Sequence, residues 1–280
     1  MRFLQKIGCF FIYSNLFIAA CAILMARQTF ELVLQVQVNG HLIYFIFFAT
    51  ICSYSFHWFL TDQSLIPSAR INWTVKNKKL LLVFFFIGLG GAAFFFFFLL
   101  KHWFWLMGGS FITFLYTAPK IPHPLFRMLR KVALGKTIFL AMVWTYVTTV
   151  LPIVVTEQEW RGDYTLFIAG RFFLIYAICI LFDLRDREDD KAAGIRSLIT
   201  YLTRQGIFIL FTTSLLIFTG LTVWLLQYDY SILAVLLLMI PGAITGAIYK
   251  YAKTHFNDML YYFVLDGLMA FSAMLMLVVG

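Results

Sequence analysis

Apolar runs long enough to cross a bilayer recur from one end of this chain to the other, and they are continuous rather than alternating. A membrane helix needs roughly 20 mostly apolar residues. Stretches at 7–26, 41–60, 80–100, 103–118, 132–153, 165–182, 207–226, 230–249 and 259–279 meet or approach that length. Strands of a membrane barrel would read instead as short segments of alternating character. The chain is 62% hydrophobic and 12% charged, against about 45–50% and about 25% in soluble domains. A packed core cannot absorb that much apolar surface, so lipid must act as solvent. The expected fold is all-α: one polytopic domain over residues 1–280, a bundle of nine transmembrane helices. Arg2, Lys6 and the small residues near Ala19 give the first run some likeness to a signal peptide. Eight further runs favour an uncleaved first helix. Only Lys101 and His102 separate the third and fourth runs, which predicts a tight hairpin. The fourth should end at Tyr116–Pro119, because proline disfavours helix at the residue before it.

Charge sets the expected orientation. The net charge is +9, and the basic residues lie in patches between apolar runs, as the positive-inside rule and anionic headgroups require rather than nucleic acid. Alternate connections carry Arg2 and Lys6; Arg70, Lys76, Lys78 and Lys79; Lys120, Arg127, Arg130, Lys131 and Lys136; Arg185, Arg187, Lys191, Arg196 and Arg204; and Lys250 and Lys253. The opposite side is assigned only Arg27, Lys101, Arg161 and Arg171. The N-terminus is therefore expected in the cytoplasm, with the basic face beside it. In a prokaryote that membrane would be the cell membrane. Cys9, Cys21, Cys52 and Cys179 all lie in apolar stretches without metal-ligand spacing, and read as small hydrophobes. The Phe94–Phe98 run reads as a lipid-facing surface or as a wall for an isoprenoid chain.

One polar segment stands out. Five of the thirteen acidic residues fall in the eight positions from Asp183 to Asp190. If the sixth helix continues through them, Asp183, Asp186 and Asp190 project within about 60° of one another, at about 100° per residue. Three carboxylates on one face repel unless a cation sits among them. Magnesium takes oxygen ligands and bridges one or two carboxylates to phosphates, and Arg185, Arg187, Lys191 and Arg196 would add positive charge for the same phosphates. A solvated mixed-charge loop is the competing reading.

The run Asp183-x-x-Asp186-x-x-x-Asp190-Lys191-x-x-Gly194-Ile195-Arg196-Ser197-Leu198 resembles the second aspartate-rich motif of the UbiA superfamily of intramembrane prenyltransferases. Nine spans, with polar connections after the second and sixth, match that family's layout. Tyr116-x-x-Pro119-Lys120, followed by Arg130, Lys131 and Lys136, is similar to its basic stretch between the fourth and fifth helices. Tyr261 to Gly267, with Asp266, is similar to the last helix of some members. The resemblance implies a prenyl diphosphate held through Mg2+ by two facing aspartate motifs, ionisation to an allylic cation, and alkylation of an aromatic or other lipid-soluble acceptor. It assigns Asp183, Asp186 and Asp190 to the metal and Arg70, Lys120, Lys136, Arg185, Lys191 and Arg196 to the diphosphate. Asn15 and Tyr116 would line the cleft. Substrates and membrane lipids are then the expected partners, with no nucleic acid and no protein partner evident.

The first motif of that family should close the second span as Asn-Asp-x-x-Asp-x-x-x-Asp. Here the chain reads Ser53-Tyr54-Ser55-Phe56-His57-Trp58-Phe59-Leu60-Thr61-Asp62, with His57 at an aspartate position and Asp62 one residue out of register. His57 is a candidate for metal ligation, diphosphate hydrogen bonding or acid–base work, or a histidine satisfied by a neighbouring helix. Asp266, about 10 Å into the last helix, is a site candidate or the partner of a buried base such as Lys136. The departure leaves a second function open: a relative that binds an isoprenoid lipid or a partner protein without catalysis. A transporter would be expected to show inverted repeats and paired broken helices, and the sequence shows neither.

Overall fold

The computed structural model describes residues 2–61, 68–121, 123, 126, 136–192 and 197–279, with the backbone alone for 2–5. Everything regular among these residues is helical. Eight helices are long and apolar enough to cross a membrane. The ninth expected span is α6 (Trp103–Thr117), a 15-residue helix flanked by 3-10 turns at Leu100–His102 and Ala118–Lys120. Its α-helical part stops at Thr117, two residues before Pro119, where the proline signal put it.

The first span is a correction. The expected run 7–26 is broken at Asn15, whose φ of 69° is left-handed. A short helix α1 (Arg2–Tyr13) precedes the break. The span itself is α2 (Leu16–Gln28), continued by a π-helical turn to Leu34. This register takes Arg27, Gln28 and Glu31 into the membrane segment. Arg27 pairs with Glu31 at 2.6 Å, one turn on, and Gln28 turns inward and is buried.

Next come α3 (Gly40–Phe59), the short α4 (Ala69–Lys76) and α5 (Lys78–Phe97). Helices α3 and α5 run closely side by side. A Cβ on Gly88 would lie 2.5 Å from the backbone nitrogen of Cys52, so only glycine permits that approach, as small residues do at membrane helix interfaces. The expected fifth span begins at Lys136 in the described chain: α7 (Lys136–Thr145), a π-helical turn Tyr146–Val150, and α8 (Leu151–Thr156). The sixth is α9 (Gly162–Ala192). After the short α10 (Leu198–Tyr201) follow α11 (Arg204–Trp224) and α12 (Ile232–Ala252). A π-helical turn, Leu260–Leu265, then leads into α13 (Asp266–Val279). Phe94, Phe97 and Phe98 are exposed, so that run presents mainly a lipid-facing surface.

Helix α9 organises the bundle. Its 31 residues span about 46 Å at 1.5 Å each, more than the roughly 30 Å of hydrocarbon. The excess carries the acidic segment out of the apolar layer as helix rather than loop. Near its other end Arg171, inside the expected span 165–182 although counted with the basic residues of the opposite side, is buried within the helix. Its Nη1 donates to the carbonyls of Met25 and Thr148 at 3.0 and 3.1 Å and to the hydroxyls of Thr29 and Thr149 at 2.8 and 2.9 Å. Nη2 donates to Gln28 Oε1 at 2.6 Å, and Gln28 donates in turn to Ser272 at 3.1 Å. The Thr148 carbonyl lies four residues before Pro152, which has no N–H to give it. Arg171 and the Thr29 hydroxyl, at 2.8 Å, supply the donors that proline removes.

Candidate functional site

The aspartates of α9 meet the start of α7. Lys136 Nζ lies 3.1 Å from Asp190 and 3.6 Å from Asp183, and Thr137 donates a hydrogen bond to the Asp183 carboxylate. Asp183 and Asp190 are each 5% exposed. The Asp186 side chain is 32% exposed and takes a 2.7 Å hydrogen bond from Arg185 Nε. Asp183, Asp186 and Asp190 are thus gathered as the helical spacing predicts, but two are engaged by an ammonium while the third stays accessible. Asp266 does not pair with Lys136 and lies within electrostatic reach of Arg70 and Arg185.

Across from the aspartates, cations rest on aromatic rings. The Arg70 guanidinium sits 4.1 Å from the Trp58 ring and 4.3 Å from the Tyr262 ring. Arg185 lies 4.6 Å from the Tyr261 ring and 4.9 Å from the Tyr262 ring, so both guanidiniums rest on Tyr262. Such contacts are worth about 0.5–2 kcal/mol each and let like charges share a dry site. Arg70 Nη2 donates to Asn15 Oδ1 at 2.7 Å, and Asn15 Nδ2 donates to Ser55 at 3.3 Å. The helix break at Asn15 therefore helps to fix Arg70. Asp258 holds the start of α4 through the Arg70 N–H at 2.9 Å and Ser68 Oγ at 3.0 Å. Burial lowers the Arg70 pKa from the ordinary arginine value, and the neighbouring Tyr262 and Asp266 act in the opposite sense.

At the end of α3, His57 Nδ1 lies 3.3 Å from Thr117 Oγ1, and its ring stacks on Tyr116 at 5.3 Å between centroids. A neighbouring helix therefore engages His57. Lys120 donates to Thr61 at 2.6 Å and lies 5.8 Å from the Trp58 ring, which brings it to the same wall. Lys191 is not brought to the cluster: it pairs at 3.2 Å with Glu188 on an exposed face. Arg187 donates to the Leu202 carbonyl at 3.0 Å. Arg196, Asp62, Arg127, Arg130 and Lys131 lie outside the described residues. The sequence reading missed Trp58, Thr137 and the role of Tyr262. Trp58 carried a signal, since it follows the one histidine at a motif position.

Among the described residues, no three His, Cys, Asp or Glu side chains are placed to share a metal ion. The donors themselves are hard oxygens that suit magnesium. A magnesium site fits if Asp186, beside Asp183, supplies protein oxygens and phosphates complete the shell. The arrangement can receive a polyanion between accessible carboxylate and caged cations, at the mouth of an apolar bundle.

The UbiA prenyltransferase family model matches residues 61–263, well over half of the chain. It begins at Thr61, within the last two residues of the stretch that departs from the family's first motif. No curated protein and no solved structure matches the chain. With this match spanning both the aspartates of α9 and the basic wall opposite, the chain belongs to the UbiA prenyltransferase family.

Proposed function

We propose that this protein moves a prenyl group from a prenyl diphosphate to a lipid-soluble, aromatic acceptor, with its working face in the cytoplasm. One observation carries the reading. Asp183, Asp186 and Asp190 converge with Lys136, Arg185, Arg70 and Lys120 at one end of an otherwise apolar bundle. Family membership supports a prenyltransferase-type reaction in general. The acceptor and the magnesium dependence belong to this proposal.

In the proposed mechanism Asp186, with Asp183 and Asp190, would hold the magnesium that this family generally uses. When bound, the metal would neutralise charge on the leaving diphosphate. Arg70, Arg185, Lys120 and Lys136 orient the diphosphate and stabilise charge developing on its oxygens. Trp58, Tyr261 and Tyr262 hold the guanidiniums in place and keep water from the allylic carbon. His57 lies near the same wall and is proposed to touch the diphosphate once Thr117 releases it.

The test is product formation. Purified protein, a prenyl diphosphate and a membrane lipid extract should release inorganic diphosphate together with a new prenylated lipid detected by mass spectrometry. Asp186→Asn should yield neither. A second reading, binding without catalysis, is favoured by Lys136 standing between Asp183 and Asp190 where a metal would otherwise neutralise them. Tight prenyl-lipid binding with no diphosphate release from the wild type would select it.

A further inference from the structure

Helix α1 (Arg2–Tyr13) turns an apolar side outward. Ile7, Phe10 and Phe11 stand at i, i+3 and i+4, within about 100° of one another around the helix, and all three are exposed. Lys6 is exposed as well, on the flank of that face and about 90° from its centre. A helix of a soluble domain buries such a stripe against its own core. An apolar face with lysine beside it belongs instead in a membrane interface, where the apolar side chains sink to the boundary between headgroups and acyl chains.

The neighbouring α4 and the start of α5 expose Val75, Lys76 and Lys79. Among the described residues no hydrogen bond or ion pair reaches the side chains of Lys6, Lys76 or Lys79. Helices α1 and α4 join through Trp73, whose ring meets Phe10 edge-on at 6.3 Å and Tyr13 at 6.0 Å. Arg70 lies one turn before Trp73 on α4. Its Nη2 donates to Asn15 Oδ1 at 2.7 Å, immediately past the end of α1, and Tyr13 lies within electrostatic reach of it. The seat of α1 and the place of Arg70 are thus set by the same contacts.

We infer that α1, with Lys76 and Lys79, is a docking surface for anionic phospholipid headgroups, and that lipid seated there holds Arg70 in position for the diphosphate. The surface stands apart from the proposed prenyl transfer, whereas its effect on Arg70 rests on that reading. Any lipid would cover the apolar face. The lysines select anionic headgroups, because each basic residue near a charged bilayer surface adds its own attraction, and a headgroup supplies the counter-charge that no described side chain gives them.

The experiment follows hydrogen exchange of the α1 amides in the full chain, in nanodiscs of phosphatidylcholine alone or mixed with phosphatidylglycerol. One copy per disc keeps a second chain off the face. Wild-type exchange should slow by about tenfold or more with the anionic lipid, as three lysines at a charged surface allow. A variant combining Lys6→Gln, Lys76→Gln and Lys79→Gln should exchange alike in both discs. Equal wild-type exchange in the two lipids, or a variant that keeps the difference, overturns the docking surface. Binding of a non-hydrolysable prenyl diphosphate analogue in the same discs reads the effect on Arg70. The wild type should gain about fivefold or more in affinity with the anionic lipid, the low end of ordinary coupling between sites, and the variant should lose that gain while matching the wild type in neutral discs. Lipid-dependent exchange with unchanged affinity overturns the effect on Arg70. A wild type that binds no analogue in either disc counts against the transferase reading alone, and the exchange still decides the surface.

Discussion

Two arginines on α9, the buried Arg171 and the partly buried Arg185, lie about 21 Å apart along one helix, and their surroundings differ in kind. Arg171 is solvated by neutral groups: two carbonyls, two hydroxyls and an amide oxygen. Arg185 has a carboxylate at 2.7 Å and two tyrosine rings, with Lys136, Arg70 and accessible space nearby. The first arrangement satisfies a charge and closes on itself, tying α2, α7–α8, α9 and α13 together. The second gathers charge that its own partners do not exhaust. A buried ionisable group in a membrane is a functional candidate by default. The comparison shows how to sort such groups, by whether the surrounding donors and acceptors are spent on the fold or left for a ligand.

The largest expected effect falls on the structural side. Arg171→Met strips donors from the Thr148 carbonyl and its neighbours and should cost several kcal/mol of stability, at about 1–3 kcal/mol for each buried acceptor left unsatisfied. Thermal unfolding in detergent measures it, and the folded fraction should bind a prenyl diphosphate analogue as the wild type does. Asp186→Asn is the mirror case: affinity for the analogue should fall at least about tenfold, with stability changed by less than about 1 kcal/mol. If both variants lose stability and binding together, the division between the two regions fails.

Lys136→Gln probes the border between them. Loss of the ammonium leaves Asp183 and Asp190 as buried like charges, and stability should drop by about 2 kcal/mol. Added magnesium should then raise the melting temperature of this variant more than that of the wild type, because a cation is again needed among the carboxylates. An equal response would argue that Lys136 does not stand in for a metal.

The smallest effect belongs to an exposed control. The Lys101 hydrogen bond holds the Glu157 carboxyl below its ordinary pKa. A group lowered on folding contributes stability above its unfolded pKa and loses it as pH falls through the folded value. Wild type and Lys101→Ala should therefore differ only above the acid range, and by too little to separate their melting temperatures at neutral pH.

Most of the bundle was legible because hydropathy depends on local sequence alone. The exceptions have a physical cause. The first span was misplaced because Arg27, Gln28 and Glu31 count against a membrane run, whereas an i,i+4 ion pair and a buried amide network satisfy them. The burial of Arg171 was hidden for the same reason: its acceptors come from α2 and α7–α8, far away in sequence. The shared face of Asp183, Asp186 and Asp190 followed from helical spacing. That Lys136 would stand between two of them, or that Tyr262 would meet both Arg70 and Arg185, depends on helix packing that no spacing within one element encodes.

The central claim is that the α9 aspartates bind a prenyl diphosphate through magnesium. Its most direct test is equilibrium binding of a non-hydrolysable prenyl diphosphate analogue to the purified protein, with and without magnesium, beside Asp186→Asn. The account predicts binding that requires the metal and is lost in the variant. Binding of equal strength in all these conditions would contradict it and leave the cations on their aromatic rings as the diphosphate site.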